Sequence, residues 1–196
     1  VNAQLCFCVP TYTNLCSSAD FIDDFSFNTL SKQNSGCNGN PDNYILDTTV
    51  TTTVIQGNTY NISMQAGASW AQGFGVWIDY NQNGDFNDSG EFVYSSPSFG
   101  TTVFSGTVTI PSGALTGIAR LRVRCSYNDT IIASESCTNF FYGETDFSTP
   151  TFGISLPALV ICATPNNSPR SSDRSAMRPD SSVPSQIITC VDVLWT

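Results

Sequence analysis

Side chains that carry oxygen recur at every second position in one short segment of this 196-residue chain. The segment is 77–91, WIDYNQNGDFNDSGE, and the recurring residues are Asp79, Asn81, Asn83 and Asp85. Ca²⁺ takes about six to eight oxygen ligands, and a tight loop with this spacing can wrap them around one ion. Gly84 permits the sharp turn, so the D-x-[DN]-x-[DN]-G pattern of a calcium loop is met. We therefore predict a Ca²⁺ site in this loop.

The loop differs from an EF-hand in its closing acid. With Asp79 as the first position, Gly90 takes the twelfth position and Glu91 falls one place later. No helical pattern flanks the segment, so we expect a calcium loop between strands, with Glu91 helping to close the shell. The alternative is a solvated hairpin turn rich in Asn, Asp and Gly.

Composition and charge exclude several classes of function. The net charge is −9, which argues against nucleic acid as a partner. The chain has no histidine, which removes histidine-based catalysis and His-ligated zinc. No run of about 18 apolar residues occurs, so we predict no membrane insertion. We expect a non-enzymatic protein. We also expect the sequence to be either a mature chain whose leader was removed or an excised segment.

The eight cysteines predict disulfides and an extracellular or cell-surface location. No paired C-x2-C spacing supports zinc instead. Cys125 and Cys137 are separated by a hairpin-length stretch, so we predict that they pair with each other. The remaining cysteines are Cys6, Cys8, Cys16, Cys37, Cys162 and Cys190.

Apolar residues alternate with polar ones along much of the chain, which is typical of half-buried strands. The clearest segments are 59–66, 103–110 and 118–125. Turn residues separate these strands, and no segment has a convincing helical stripe, so we predict an all-β, antiparallel β-sandwich. Further candidate strands are 21–27, 48–55, 74–80, 91–95 and 151–156.

The composition changes after about residue 157. Residues 163–186 are rich in Ser and Pro and contain no aromatic residue, so they bury too little apolar surface to fold alone. We predict a β-sandwich domain over 1–157 and a tail over 158–196. Cys162 and Cys190 could anchor that tail, which could end in a strand that joins neighbouring subunits.

Several segments of the chain form a recognisable set of motifs. They are Cys8-Val9-Pro10, Phe21–Phe27, Asn34–Cys37, Val76–Phe86, Gly90-Glu91, Ile110–Ala114, Arg120–Arg124 and Gly143-Glu144-Thr145-Asp146-Phe147. Together they resemble the GEVED domain family over about 1–156, and the last segment matches the family's name motif one acid short. The resemblance implies a secreted bacterial β-sandwich module, usually accessory rather than catalytic.

The acids of this motif suggest a second contribution to the metal site. Glu144 and Asp146 lie on the same side of a strand, because side chains two apart share a face. If that strand lies beside the 77–91 loop, the two carboxylates would complete the oxygen shell. The alternative is that they face solvent or pair with Arg120, Arg122 or Arg124.

Two functions are compatible with these observations. The first is a calcium-stabilised module for cell-surface adhesion or assembly, whose partners are further copies of itself, as in a filament, or other surface proteins. The second is a carbohydrate-binding accessory module of a larger secreted enzyme, with a glycan as its ligand. Trp70, Trp77 and Tyr80 could supply the aromatic platform for a sugar, although such side chains more often lie in the core.

Overall fold

The structure is a computed structural model that describes residues 7–14, 16–37 and 43–153. The chain is all-β over these ranges, which confirms the predicted fold class. Its helices there are two single 3-10 turns, Cys16–Ser18 and Ala133–Glu135. Within the described ranges, no helix has the length and apolarity needed to cross a bilayer. The predicted tail, with Cys162 and Cys190, lies outside the described residues, as does Cys6.

The strands form a four-stranded, a five-stranded and a three-stranded sheet. In chain order they are β1 (Ile22–Phe27), β2 (Leu30–Lys32), β3 (Tyr44–Leu46), β4 (Thr53–Ile55), β5 (Thr59–Ala66), β6 (Gln72–Ile78), β7 (Phe92–Ser95), β8 (Phe104–Thr109), β9 (Gly117–Ile118), β10 (Leu121–Tyr127), β11 (Gly143–Ser148) and β12 (Thr151–Gly153). The sheet orders are β2-β1-β5-β8, β3-β11-β10-β6-β7 and β4-β12-β9. Pairing is antiparallel except for β3 with β11 and β4 with β12.

The main core lies between the four- and five-stranded sheets. Alternation in β5 buries Ile62, Met64 and Ala66 and leaves Asn61 exposed, as the sequence pattern predicts. These side chains belong to the same apolar cluster as Phe74 of β6. Burial of this apolar surface from both sheets is the main force that holds the sandwich together.

The outer face of the five-stranded sheet is covered as well, which explains why β6 and β10 are buried on both sides. Trp77 and Ile131 form a second apolar cluster there. Arg122 and Arg124 are fully buried on this face, and their guanidinium groups donate to backbone carbonyls. A Cβ at Gly73 would meet the Asp129 carbonyl oxygen at 2.1 Å, so glycine is what allows the covering loop to lie on β6.

Two disulfides join cysteines within the described ranges, and they correct the predicted pairing. Cys8 pairs with Cys137, with Cα atoms 5.9 Å apart, and Cys16 pairs with Cys37 at 5.4 Å. The predicted Cys125–Cys137 bridge is wrong, because Cys125 is a free thiol buried in the main core. Cys137 lies near Arg122, on the opposite face of the sheet. Proximity in sequence therefore did not place the two thiols on one face.

Candidate metal centre

The acidic loop, residues 79–91, connects β6 to β7 and is held to the sheet at both ends. The Ile78 N–H donates to the Glu91 carbonyl at 2.9 Å, and the Asp79 N–H donates to the Arg120 carbonyl at 3.0 Å. The start and end of the loop are therefore fixed by backbone pairing.

The alternating oxygens of the first half fold the loop upon itself. Asp79 accepts from the backbone N–H of Asn83 at 3.2 Å and of Gly84 at 3.1 Å. Asn81 accepts from the N–H of Asn83, and Asn83 from that of Asp85. Gly84 has a φ of +95°, a conformation that glycine adopts without strain. The same side-chain oxygens that the spacing assigns to a metal ion thus also accept local backbone hydrogen bonds, as in Asx turns.

Three carboxylates converge in the second half of the loop. Asp85, Asp88 and Glu91 each offer one oxygen, and these oxygens lie within 4.8 Å of one another. Asp88 accepts from the side-chain amides of Asn81 at 2.8 Å and of Asn83 at 2.7 Å. The two asparagines therefore position Asp88 in this structure.

Glu91 is the buried member of this group, with 2% of its surface exposed. Its Oε1 accepts from the Tyr80 N–H at 3.0 Å, whereas its Oε2 is buried without any hydrogen-bond partner among the described residues. Burial, together with the negative charges of Asp79 and Asp88, raises the pKa of Glu91 to about 7. The ion pairs between described side chains are those of Lys32, which lie outside this loop.

The structure gathers five of the predicted ligands in the loop but separates the other two from it. Asp79, Asn81, Asn83, Asp85 and Glu91 all belong to the acidic loop. Glu144 and Asp146 lie on β11, and β10 stands between β11 and β6. The prediction that Glu144 and Asp146 complete the oxygen shell of the metal site is therefore wrong.

The acid pair, Glu144 and Asp146, faces the interior of the sandwich. In the β10–β11 register, Glu144 is opposite Cys125 and Asp146 is opposite Val123. Glu144 accepts from the Ile22 N–H at 2.8 Å, and Asp146 lies 3.7 Å from the Lys32 ammonium group. The arginines of β10 that flank these positions point to the other face, so the predicted alternative of an arginine partner does not hold either.

Asp88 is the member of the cluster that the alternating pattern leaves out. It lies at an even position, whereas the recurring oxygens of 79–85 lie at odd positions. A different signal was available, because Asp88 and Glu91 are three residues apart across a tight turn. The Glu91 N–H donates to the Asp88 carbonyl at 3.2 Å and brings the two side chains to the same side.

The predicted aromatic platform does not form as a unit. Trp77 and Tyr80 are buried, whereas Trp70 is 46% exposed. Trp70 instead packs edge-to-face on Tyr127, with ring centroids 5.8 Å apart. This contact lies at the Gln72 end of β6, opposite the end that carries the acidic loop.

Comparison with known proteins supports the family resemblance. The GEVED domain model matches residues 73–146, which run from β6 to β11 and include the acidic loop and the acid pair. No curated protein matches the chain. A solved structure of a family 123 glycoside hydrolase from Clostridium perfringens, described for glycolipid glycan hydrolysis, is similar with 12% identity and a TM-score of 0.28. The similarity covers 52% of this chain and 22% of that one, and it is too low to support an argument.

Proposed function

With residues 73–146 identified as a GEVED domain, we propose that this chain is a non-catalytic extracellular module stabilised by one calcium ion in the acidic loop. GEVED is an accessory type of domain, which supports a binding or structural role. The Cys8–Cys137 and Cys16–Cys37 disulfides are compatible with secretion, because such bonds persist in oxidising compartments.

The observation that carries this proposal is the buried oxygen of Glu91. A polar atom removed from water without a hydrogen bond destabilises the fold, and a carboxylate among other carboxylates does so more strongly. Glu91 Oε2 is such an atom, and Asp85 and Asp88 converge on the same residue. A hard divalent cation would satisfy all three, and Ca²⁺ tolerates the irregular geometry of a loop with added waters.

The wider role we propose is adhesion at a cell surface. The Trp70–Tyr127 contact described above supports attachment through an exposed aromatic surface. Assembly into a filament depends on the tail 158–196, which lies outside the described residues, so it stays a prediction.

Calorimetric melting with calcium and with chelator tests the metal centre. Ca²⁺ at about 100 times its dissociation constant stabilises the folded state by about 2.7 kcal/mol. We expect the melting temperature to be higher in millimolar calcium than in EDTA. Asp79→Ala should remove the difference, because the Asp79 carboxylate holds the loop backbone closed.

Mg²⁺ at the same concentration is the ionic control, since it demands a regular octahedral shell and releases its waters reluctantly. We expect it to give a smaller shift than Ca²⁺. Equal melting temperatures in calcium and in EDTA would refute the metal centre.

A further inference from the structure

Two adjoining depressions lie at the Gln72 end of the five-stranded sheet, remote from the acidic loop. The first has a volume of about 300 Å³ and the second about 390 Å³. Both are lined by Tyr127 and Tyr142, so they are neighbours, and we call the two together the aromatic groove. Volumes of this size are typical of small-molecule sites. Asp20 and Trp70 also line the first depression, and Asn139 and Phe141 also line the second.

The rings of the groove form a connected and anchored row. Trp70 meets Tyr127 at an interplanar angle of 87°, and Tyr127 meets Tyr142 at 66° with centroids 5.6 Å apart. The Trp70 indole N–H donates to the Ser18 carbonyl at 2.8 Å, which fixes the ring although the side chain is half exposed. Phe141 lines the second depression and is 71% exposed. The exposed parts of these side chains form an apolar surface in contact with water, and a bound ligand could cover that surface.

Polar groups with free capacity accompany the rings. Asp20 is 3% exposed, and one of its carboxylate oxygens accepts from the Gln72 side-chain amide at 2.5 Å. No hydrogen bond from a described residue reaches its other oxygen, which can accept from a ligand. Asn139 uses its carbonyl oxygen to accept from the Thr11 N–H at 2.9 Å, which leaves its NH₂ group to donate.

We propose that the aromatic groove binds a neutral oligosaccharide, with pyranose rings against Trp70, Tyr127 and Tyr142 and hydroxyl groups bonded to Asp20 and Asn139. Sugars combine apolar C–H faces with many hydroxyl donors and acceptors, which matches rings interleaved with polar groups. The second depression lets the ligand extend past the shared Tyr127–Tyr142 wall. This inference rests on the proposed function of an extracellular module and names its ligand.

Charge selects a neutral ligand over an anionic one. No Lys or Arg lines either depression among the described residues, whereas Asp20 and Asp129 do. The chain as a whole carries a net charge of −9. Uronic-acid polymers and nucleic acids would therefore be repelled, although both offer rings or hydroxyl groups.

Titration calorimetry with cellohexaose, xylohexaose, mannohexaose and chitohexaose tests the proposal, with hexagalacturonate as the anionic comparison. We expect saturable binding of at least one neutral hexasaccharide and none of hexagalacturonate. Trp70→Ala and Tyr142→Ala should each weaken binding by about tenfold or more, because each removes a ring that covers the ligand. Trp70→Phe keeps a ring but loses the hydrogen bond to Ser18. Its affinity for the hexasaccharide should lie between those of the parent and of Trp70→Ala.

Ile118→Ala is the matched control, because Ile118 is 70% exposed on β9 and does not line the groove. It should bind as the parent does, and melting curves establish that each variant is folded. No binding of any neutral hexasaccharide at about 10 mM, or equal affinities of the parent, Trp70→Ala and Tyr142→Ala, would overturn the proposal.

The same titrations in calcium and in EDTA separate this inference from the metal centre. A calcium-dependent melting temperature without glycan binding refutes the groove alone. Glycan binding without a calcium effect on melting refutes the metal centre alone.

Discussion

The acidic loop and the acid pair of β11 contain the same kind of side chain in different surroundings. In the loop, Glu91 is buried beside other carboxylates, and backbone N–H groups and asparagine amides are the donors nearby. In the acid pair, Asp146 is buried beside the ammonium group of Lys32, which also lies 3.7 Å from Asp47. Among the described side chains the loop has no neutralising cation, whereas in the acid pair Lys32 neutralises Asp146. Glu144 Oε1 is buried without a hydrogen-bond partner there, as Glu91 Oε2 is in the loop.

This difference decides what each group of acids can do. A buried carboxylate needs an opposite charge or several hydrogen bonds. Lys32 provides the charge for Asp146 from β2, across the sandwich, so that site is structural. Glu91 has no comparable ion pair among the described side chains, so its neutralisation is left to an ion from solution.

The largest expected effect comes from removing the internal cation. Lys32→Met leaves Asp146 buried without its partner, and breaking a buried ion pair in this way costs about 3–5 kcal/mol of unfolding free energy. Urea denaturation measures the loss. The double variant Lys32→Met/Asp146→Leu should recover most of it, because the carboxylate that lost its partner is removed as well. A single variant within about 0.5 kcal/mol of the parent would show that the pair is not needed.

The second expected effect separates the two groups by their response to calcium. Glu91→Gln removes the buried carboxylate of the Asp85–Asp88–Glu91 cluster, and we expect it to lose most of the roughly 2.7 kcal/mol that excess calcium provides. Glu144→Gln is the matched variant in the acid pair and should keep the full calcium effect. Melting in calcium and in EDTA measures both. A calcium effect lost in both variants would mean that the two groups are coupled.

The third effect is a dependence of stability on pH that arises from the acid pair. Burial raises the pKa of Glu144 and of Asp146 above the ordinary carboxyl range, and Lys32 opposes the rise. The native state then holds more protons than the unfolded state above about pH 4, so stability falls as pH rises through the native pKa values. Glu144→Gln has no such proton to lose.

Urea midpoints measured from about pH 4 to pH 8 in EDTA test this expectation. The advantage of the parent over Glu144→Gln should be greatest at the acidic end and should shrink as pH rises. Ile118→Ala, a change of an exposed side chain that does not titrate, should leave the slope unaltered. Parallel profiles for the parent and Glu144→Gln would contradict the raised pKa.

The smallest expected effect concerns salt. Without calcium, the acids of the loop repel one another near the surface, and added NaCl screens that repulsion. We expect a gain of a few tenths of a kcal/mol between low and high ionic strength. The gain should disappear in Asp85→Asn and persist in Asp146→Asn, because the acid pair is buried and paired.

The local alternation of apolar and polar residues predicts the strands, but it does not predict which strands pair with each other. Segments 59–66 and 118–125 became β5 and β10 because each has a run long enough to show which residues are buried. β2 and β3 have three residues each, too few to show a period, so neither is among the predicted strands. The pairing of β11 with β10 rather than β6 depends on contacts between distant residues, which no local pattern encodes.

The same limit explains the outcome at the candidate site. The acidic loop is a contiguous segment, so its spacing in sequence is nearly its spacing in space. Glu144 and Asp146 face the same side of β11, as their spacing of two residues predicts. The spacing does not show whether that side is the core or the surface. The half-buried alternation of 118–125 predicts one buried face, but Arg122 and Arg124 on the other face are buried too, because segments more than ten residues away cover them.

The Cys8–Cys137 disulfide has a consequence for a protein under tension. A pulling force applied between residues 8 and 153 passes through this bond and bypasses almost the whole sandwich, since the cysteines are 129 residues apart in sequence. Only about 16 residues, those of 138–153, can then be drawn out, a gain in length of about 55 Å. The reduced chain would extend by about 500 Å. Between these two points an oxidised chain would therefore lengthen far less than a reduced one, and β11 and β12 are the described strands that would bear the load.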